Sequence, residues 1–271
     1  MGGWALYERY RRQKLLKTLV QLTGTPNWKK TLQTWAAQNK YPDSTKTETF
    51  LAELAHELKT PVAILIGYLD TLSQGAWKDE TVAPTFLQKA LLQAQRLAAL
   101  TQDVLFLAQI ESGGWQLQLE PVPLEALSQT VWEELEPLAQ RKHIRLEIQA
   151  SDRGIAVEAD AAALRLILKN LVENAIQYSP EGRRVWIGWQ VLGSQVRIEV
   201  GDEGIGIPAE ELPRIFDRFY RVDKSRSRAH GGTGLGLTLV RELLQAHHST
   251  IQVRSEVGKG SVFWFELPLA G

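Results

Sequence analysis

Apolar residues recur at steps of three and four along Leu51, Leu54, Leu58, Val62, Leu65, Leu69 and Leu72. That spacing is the stripe of an amphipathic helix and predicts one from about Lys46 to Gln74, with Gly75 supplying the stop. A second helix is predicted to start near Pro84, a residue favoured in a first turn. Leu87, Leu91, Ala94, Ala98, Thr101, Leu105 and Ala108 follow at steps of four and three, and Ala90, Leu97 and Val104 run alongside. A seam that broad faces more than one neighbour. Two helices alone bury too little apolar surface to be stable, so the hairpin is predicted to pair with a second copy as a four-helix bundle.

The pattern changes after Glu111-Ser112-Gly113-Gly114. Strands are predicted at 117–119, 144–148 and 156–158, a hairpin at 185–191 and 196–200 around Gly193-Ser194, and two last strands at 251–255 and 261–267. Helices are predicted at 123–141, at 161–177 and at the end of 232–246. The resulting class is α+β: a helical-hairpin dimerisation domain followed by an α/β sandwich with a mixed sheet. The expected boundaries are 1–45, 46–112 and 113–271, with Gly113-Gly114 as the linker that lets one domain swing onto the other.

Residues 1 to 48 carry nine Lys and Arg against three acidic residues. Trp4 to Leu22 reads as a basic amphipathic helix and Trp28 to Gln38 as a shorter one. The plain reading is a solvated helix pair; the sharper one is a segment next to a membrane or anionic lipid. Over the whole chain 31 Lys and Arg balance 31 Asp and Glu, which gives no sign of a nucleic-acid binder. The absence of cysteine excludes disulfides, thiolate metal sites and thiol nucleophiles. No apolar run approaches the roughly 18 residues of a membrane span, and neither a signal-peptide core nor a myristoylation pattern opens the chain. As written the chain is expected to be soluble and cytoplasmic, from a longer natural protein anchored at the inner membrane.

His56 lies two residues from both Leu54 and Leu58, about 200° around the helix from each, so it faces away from the stripe. Thr60 follows one turn later on the same face, and Glu57 sits beside the imidazole. A solvent-facing imidazole next to a carboxylate is a nucleophile with a base at hand. Pro61 removes the amide that would bond the Glu57 carbonyl and is expected to bend the helix there.

Three downstream segments carry phosphate chemistry. Asn170 and Asn174 stand four apart on a predicted helix, so their amides share a face that suits a hard cation held against phosphates. Asp202-Glu203-Gly204-Ile205-Gly206 places a carboxylate at a strand end before glycines that leave room for close approach. Gly231-Gly232-Thr233-Gly234-Leu235-Gly236-Leu237 leads into a helix, whose positive end with unhindered amides makes an anion site. It is neither a Walker A loop nor a Rossmann turn.

With Phe216-Asp217-Arg218-Phe219-Tyr220 between the second and third, these elements in this order resemble a sensor histidine kinase of a two-component system, over about residues 48 to 268. The resemblance implies that His56 is the phosphoacceptor, Glu57 the base for its ring proton, and Thr60 the residue that positions water for dephosphorylation of a response regulator. It implies that ATP and Mg²⁺ are the cofactors, with Asn174 on the metal and Asn170 near it. Tyr178 is implied to stack on adenine, Asp202 to bond its amino group, and Arg221 to reach the γ-phosphate. Gly204, Gly206, Gly232, Thr233, Gly234, Leu235, Gly236 and Leu237 are implied to shape the cleft and its lid. The implied partners are a second copy and the receiver domain of a response regulator, whose aspartate takes the phosphoryl group. Two positions depart from the pattern: Gln177, where a lysine is common, and His248-Ser249, where a glycine pair is common. The alternatives are an ATPase of the same nucleotide fold and an ATP-binding scaffold. Asn170 stands where the ATPases have a water-activating glutamate.

Overall fold

The computed structural model describes residues 44–111, 116–222 and 233–271. The helices expected in the first 43 residues, the Gly113-Gly114 linker and Gly231-Gly232 lie outside the described residues. The described chain divides into two compact units between Ala98 and Ala99.

The first unit is a helical hairpin. Helix α1 runs Ser44–Ser73 with Pro61 inside it. Its last amides close onto Asp70 and Leu72, and Gly75 then turns the chain with φ 119°, a conformation open to glycine. After a 3₁₀ turn at Ala76–Lys78, the Asp79 carboxylate accepts from the amides of Thr81 and Val82 at 2.9 and 3.2 Å. That bracing opens helix α2, Ala83–Glu111. Tyr68 and Phe86 meet across the hairpin with ring centroids 5.4 Å apart. Leu54, Leu58 and Leu72 are buried, as is Ala90. Leu69, Leu87 and Leu91 of the same predicted seams, and Ile66 next to them, are about half exposed or more.

The second unit begins with the end of α2, whose Leu100, Val104 and Leu107 are buried. Its elements are β1 Leu119–Pro123, α3 Leu124–Gln140, β2 Arg145–Ala150, β3 Ala156–Asp160, α4 Ala161–Tyr178, β4 Arg184–Leu192, β5 Gln195–Asp202, α5 Gly236–Ala246, β6 Gln252–Glu256 and β7 Gly260–Pro268. Five strands form a mixed sheet in the order β2-β4-β5-β7-β6, parallel at β2/β4 and antiparallel elsewhere. Every second residue of the central strands turns inward, as a one-faced sheet requires: Val185, Ile187 and Trp189, Val196, Ile198 and Val200, then Phe263, Phe265 and Leu267. Helix α4 covers that face with Ile167, Leu168, Leu171 and Ile176, all wholly buried or nearly so.

The structure separates β1 and β3 from the main sheet as an antiparallel ribbon. The sequence places the first strand at 117–119, whereas β1 extends through Pro121 and Pro123. Prolines lack the ladder donor and blur a strand signal, yet a two-stranded ribbon has edges where they fit. Asp160 at its end caps α4 by accepting from the Ala163 amide at 2.9 Å. No helix among the described residues is long and apolar enough to cross a membrane.

Candidate functional site

Helix α4 lays one row of side chains along a cleft of about 690 Å³ in the second unit. Asn170, Asn174 and Tyr178 line it, as do Asp202, Gly206, Arg221, Thr233, Gly234, Gly236 and Leu237. These positions span nearly seventy residues of sequence and come from α4, the end of β5, the start of α5 and the loops between, so only the fold brings them together. Leu235 is wholly buried and anchors the turn from below. Gly232 lies outside the described residues.

At one end of the cleft Asp202 closes β5. Its Oδ1 accepts from the amides of Gly204 and Ser261 at 2.7 and 3.2 Å. Oδ2 makes no bond among the described residues and is the atom free for a donor from a ligand. Burial pushes this carboxyl from its ordinary 3.8 up to about 6, while the two amide bonds work the other way. Gly204 is needed beside it, because a Cβ there would stand 2.5 Å from Oδ1 and 2.8 Å from the Tyr178 carbonyl oxygen. Gly206, with φ +70°, passes so close to the main chain at Glu256 that a Cβ would fall 2.1 Å from its oxygen.

At the other end the chain enters α5 through Thr233–Gly236. The Thr233 hydroxyl donates to Asp103 Oδ2 at 2.8 Å and accepts from the Leu235 amide at 3.2 Å. Phe219 N–H holds the Gly234 carbonyl at 2.9 Å. A Cβ on Gly236 would lie 2.6 Å from Asn170 Oδ1. Main-chain amides at a helix N-terminus, kept bare by glycine, attract anions.

Several lining groups carry no motif. Lys169, Glu173 and Gln177 form the row next to the asparagines, at steps of four along α4, and all three line the cleft. That periodicity is a signal the sequence offers; nothing comparable points to Asp103, which arrives from α2. Burial pushes Asp103 up to about 6, with Glu173 adding to the rise and the Thr233 hydroxyl opposing it. Glu173 is itself shifted upward by its crowded setting, offset in part by Lys169. Gln177 Nε2 is buried without a hydrogen-bond partner, which is the condition of a group placed to meet a ligand.

The donor set also bears on a metal. No group of three or more His, Cys, Asp or Glu among the described residues could hold an ion by itself. Asn170 Nδ2 is committed to the Leu166 carbonyl at 2.9 Å, which leaves its Oδ1 for a ligand. Amide oxygens of this kind fit a magnesium ion whose other ligands come from phosphates and water.

In the first unit His56 is exposed on α1, Thr60 is exposed one turn on, and Glu57 is half-buried between them. The Thr60 hydroxyl leans back on the His56 carbonyl at 3.4 Å, a long bond. Pro61 supplies no amide to the Glu57 carbonyl, and the helix continues through it.

A carboxylate with one oxygen unbonded among the described residues at one end and glycine-bared amides at the other line a single cleft of an α/β sandwich. Comparison with known proteins agrees. Residues 46–113 match the family described as His Kinase A (phospho-acceptor) domain, and residues 159–271 match Histidine kinase-, DNA gyrase B-, and HSP90-like ATPase. Sensor histidine kinase WalK of Bacillus subtilis is 37% identical over 81% of this chain and 36% of its own length. The phosphate regulon sensor protein PhoR of Pseudomonas aeruginosa is 36% identical over 79% of this chain and 48% of its own. The chain thus spans between about a third and a half of these relatives. Among solved structures, the histidine kinase AdeS of Acinetobacter baumannii aligns with a TM-score of 0.64 at 27% identity, over 80% of this chain and 98% of that one. Full-length ShkA in complex with AMPPNP aligns with a TM-score of 0.61 at 30% identity, over 70% of this chain and 39% of that one. The chain belongs to the sensor histidine kinase family.

Proposed function

We propose that this chain is the kinase core of a two-component sensor: it binds ATP in the cleft of the second unit and phosphorylates His56. The observation that carries the reading is the convergence of Asn170, Asn174, Tyr178, Asp202 and the Thr233–Gly236 turn on one cleft. ShkA, a relative by fold and sequence, was solved with the ATP analogue AMPPNP.

Phosphoryl transfer asks the protein for alignment and charge neutralisation more than for covalent chemistry. Asp202 Oδ2 accepts from the amino group of adenine and Tyr178 stacks on the ring. The amides of the Gly234–Gly236 turn and Arg221 hold the phosphates. Asn174 and Asn170 would hold a magnesium ion, which would supply neutralisation of phosphate charge. On α1 an imidazole nitrogen of His56 bonds to the γ-phosphorus as the bond to the β-phosphate oxygen breaks, and ADP leaves. Glu57 takes the ring proton. The phosphoryl group then passes to an aspartate carboxylate of a response-regulator receiver domain, and Thr60 positions the water that later hydrolyses it. The exposed apolar row on α1 and α2 pairs two copies. The boundaries 46–112 and 113–271 divide phosphoacceptor from catalytic domain. The core works in the cytoplasm, with the longer protein anchored at the inner membrane.

The test is incubation with γ-labelled ATP and Mg²⁺, comparing the chain with His56→Gln. Label that is stable to base, lost in acid and absent from the variant is the expected result. Label retained in the variant means another nucleophile; free phosphate without protein label means an ATPase.

A further inference from the structure

Every main-chain carbonyl at the end of α4 is accounted for, and one side chain satisfies three of them. Ser179 N–H bonds the Ala175 carbonyl at 3.1 Å, and Ile205 N–H bonds that of Tyr178 at 3.2 Å. The carbonyls of Ile176, Gln177 and Ser179 all accept from Lys142 Nζ, at 3.0, 2.6 and 3.0 Å. An ammonium has three N–H donors, so main chain alone saturates this one. It pairs with no carboxylate among the described residues. Its counter-charge is the negative end of α4, where the last carbonyls of a helix lack partners within it.

The lysine is held firmly itself. It sits in the turn between α3 and β2, where its amide donates to the Ala139 carbonyl at 3.1 Å and its carbonyl accepts from Gly182 N–H at 2.9 Å. Partial burial lowers its pKa from the ordinary lysine value. Gln177 and Tyr178, from the same helix end, line the cleft, and Ile205, tied to the Tyr178 carbonyl, lines it too.

We propose that Lys142 is a positioning residue of the nucleotide site, a tethered cation whose ammonium fixes the end of α4 and with it the base-binding half of the cleft. The inference rests on the reading that the cleft holds an adenine nucleotide with its base at Tyr178 and Asp202. The phosphate half is held separately, by Phe219 on Gly234 and by Asp103 on Thr233. Lys142 therefore sets affinity for the base without setting the preference between di- and triphosphate. A three-carbonyl nest emptied of its ammonium also has the ligand chemistry of a monovalent cation site.

The experiment measures ADP and AMPPNP affinity of the chain and of Lys142→Ala and Lys142→Met, in potassium, ammonium and tetramethylammonium chloride at one ionic strength. Lys142→Ala is expected to lose on the order of tenfold for both nucleotides, since bonds to a charged donor are lost from partly buried carbonyls. Potassium and ammonium are expected to restore most of that loss and tetramethylammonium, which is too large, none. Lys142→Met, which keeps the stem and fills the space, is expected to lose affinity in all three salts. Unchanged affinity in Lys142→Met, or a loss in Lys142→Ala that ignores the cation, overturns the proposal. If Lys142→Ala does not fold in any of the salts, Lys142→Met decides alone. Failure of the unaltered chain to bind ADP overturns the nucleotide reading instead.

Discussion

Asp202 divides its carboxylate between two tasks. Oδ1 is occupied by the amides of Gly204 and Ser261, which shape the glycine turn, and Oδ2, without a bond among the described residues, is the atom for the proposed ligand contact. Burial raises the pKa to about 6, so the group is ionised at neutral pH but protonated a little below it. Nucleotide affinity is therefore expected to fall as pH drops through 6. Asp202→Asn should bind on the order of tenfold more weakly at pH 7.5 and lose that dependence, which calorimetric titration at several pH values would read. Stability has the opposite sign. A carboxyl with a raised folded pKa favours the native state when protonated, so its contribution is full below 3.8 and is lost as pH rises through about 6. Asp202→Asn should accordingly flatten the pH dependence of unfolding across that window. An unchanged profile would mean that the carboxyl is not desolvated.

Helix α5 shows how an element's end is decided by backbone geometry. Ser249 N–H bonds the Leu244 carbonyl at 2.8 Å and His248 N–H bonds that of Gln245 at 3.0 Å, with His248 at φ 57°. This is the paired-bond helix stop that favours glycine, because a Cβ in the left-handed region is strained. The departure noted in the sequence at His248-Ser249 thus puts a side chain where the turn holds a left-handed φ. The exposed His248 side chain makes no hydrogen bond among the described residues that would offset the strain. His248→Gly is expected to stabilise the protein by about 1 kcal/mol, read as a higher urea midpoint at unchanged slope. His247 has a different role: its Nδ1 donates to the Leu243 carbonyl at 2.7 Å, and its Nε2 accepts from Asp160 N–H at 3.1 Å. It fastens α5 to the start of α4, the helix that carries the asparagines.

At the scale of the molecule, the chain is two compact units, and the first has unfinished apolar business. Leu87 and Leu91 are 56% and 58% exposed, and with Leu69 they form the part of the predicted seams that the hairpin leaves uncovered, with exposed Ile66 beside them. A second copy seated there would complete a four-helix bundle. Sedimentation of the chain at micromolar concentration is expected to give a dimer, and Leu91→Glu a monomer that still binds nucleotide in the second unit. A monomeric unaltered chain would remove the pairing.

Local pattern determined a great deal here. Periods of three and four fixed both long helices to within three residues, and period two marked the central strands, because burial on one face leaves its mark on neighbouring positions. The same locality made His56, the asparagine pair and the glycine turns legible, since each is a short run whose chemistry depends on residues beside it. The β1–β3 ribbon was not legible, because two prolines hide a strand that only an edge partner makes possible. Nor were Asp103 beside Thr233, 130 positions away, or Lys142 beneath the end of α4. Such contacts have no period and no spacing. They exist because packed helices bring distant main chain and side chains to within 3 Å, and that distance is set by the tertiary structure alone.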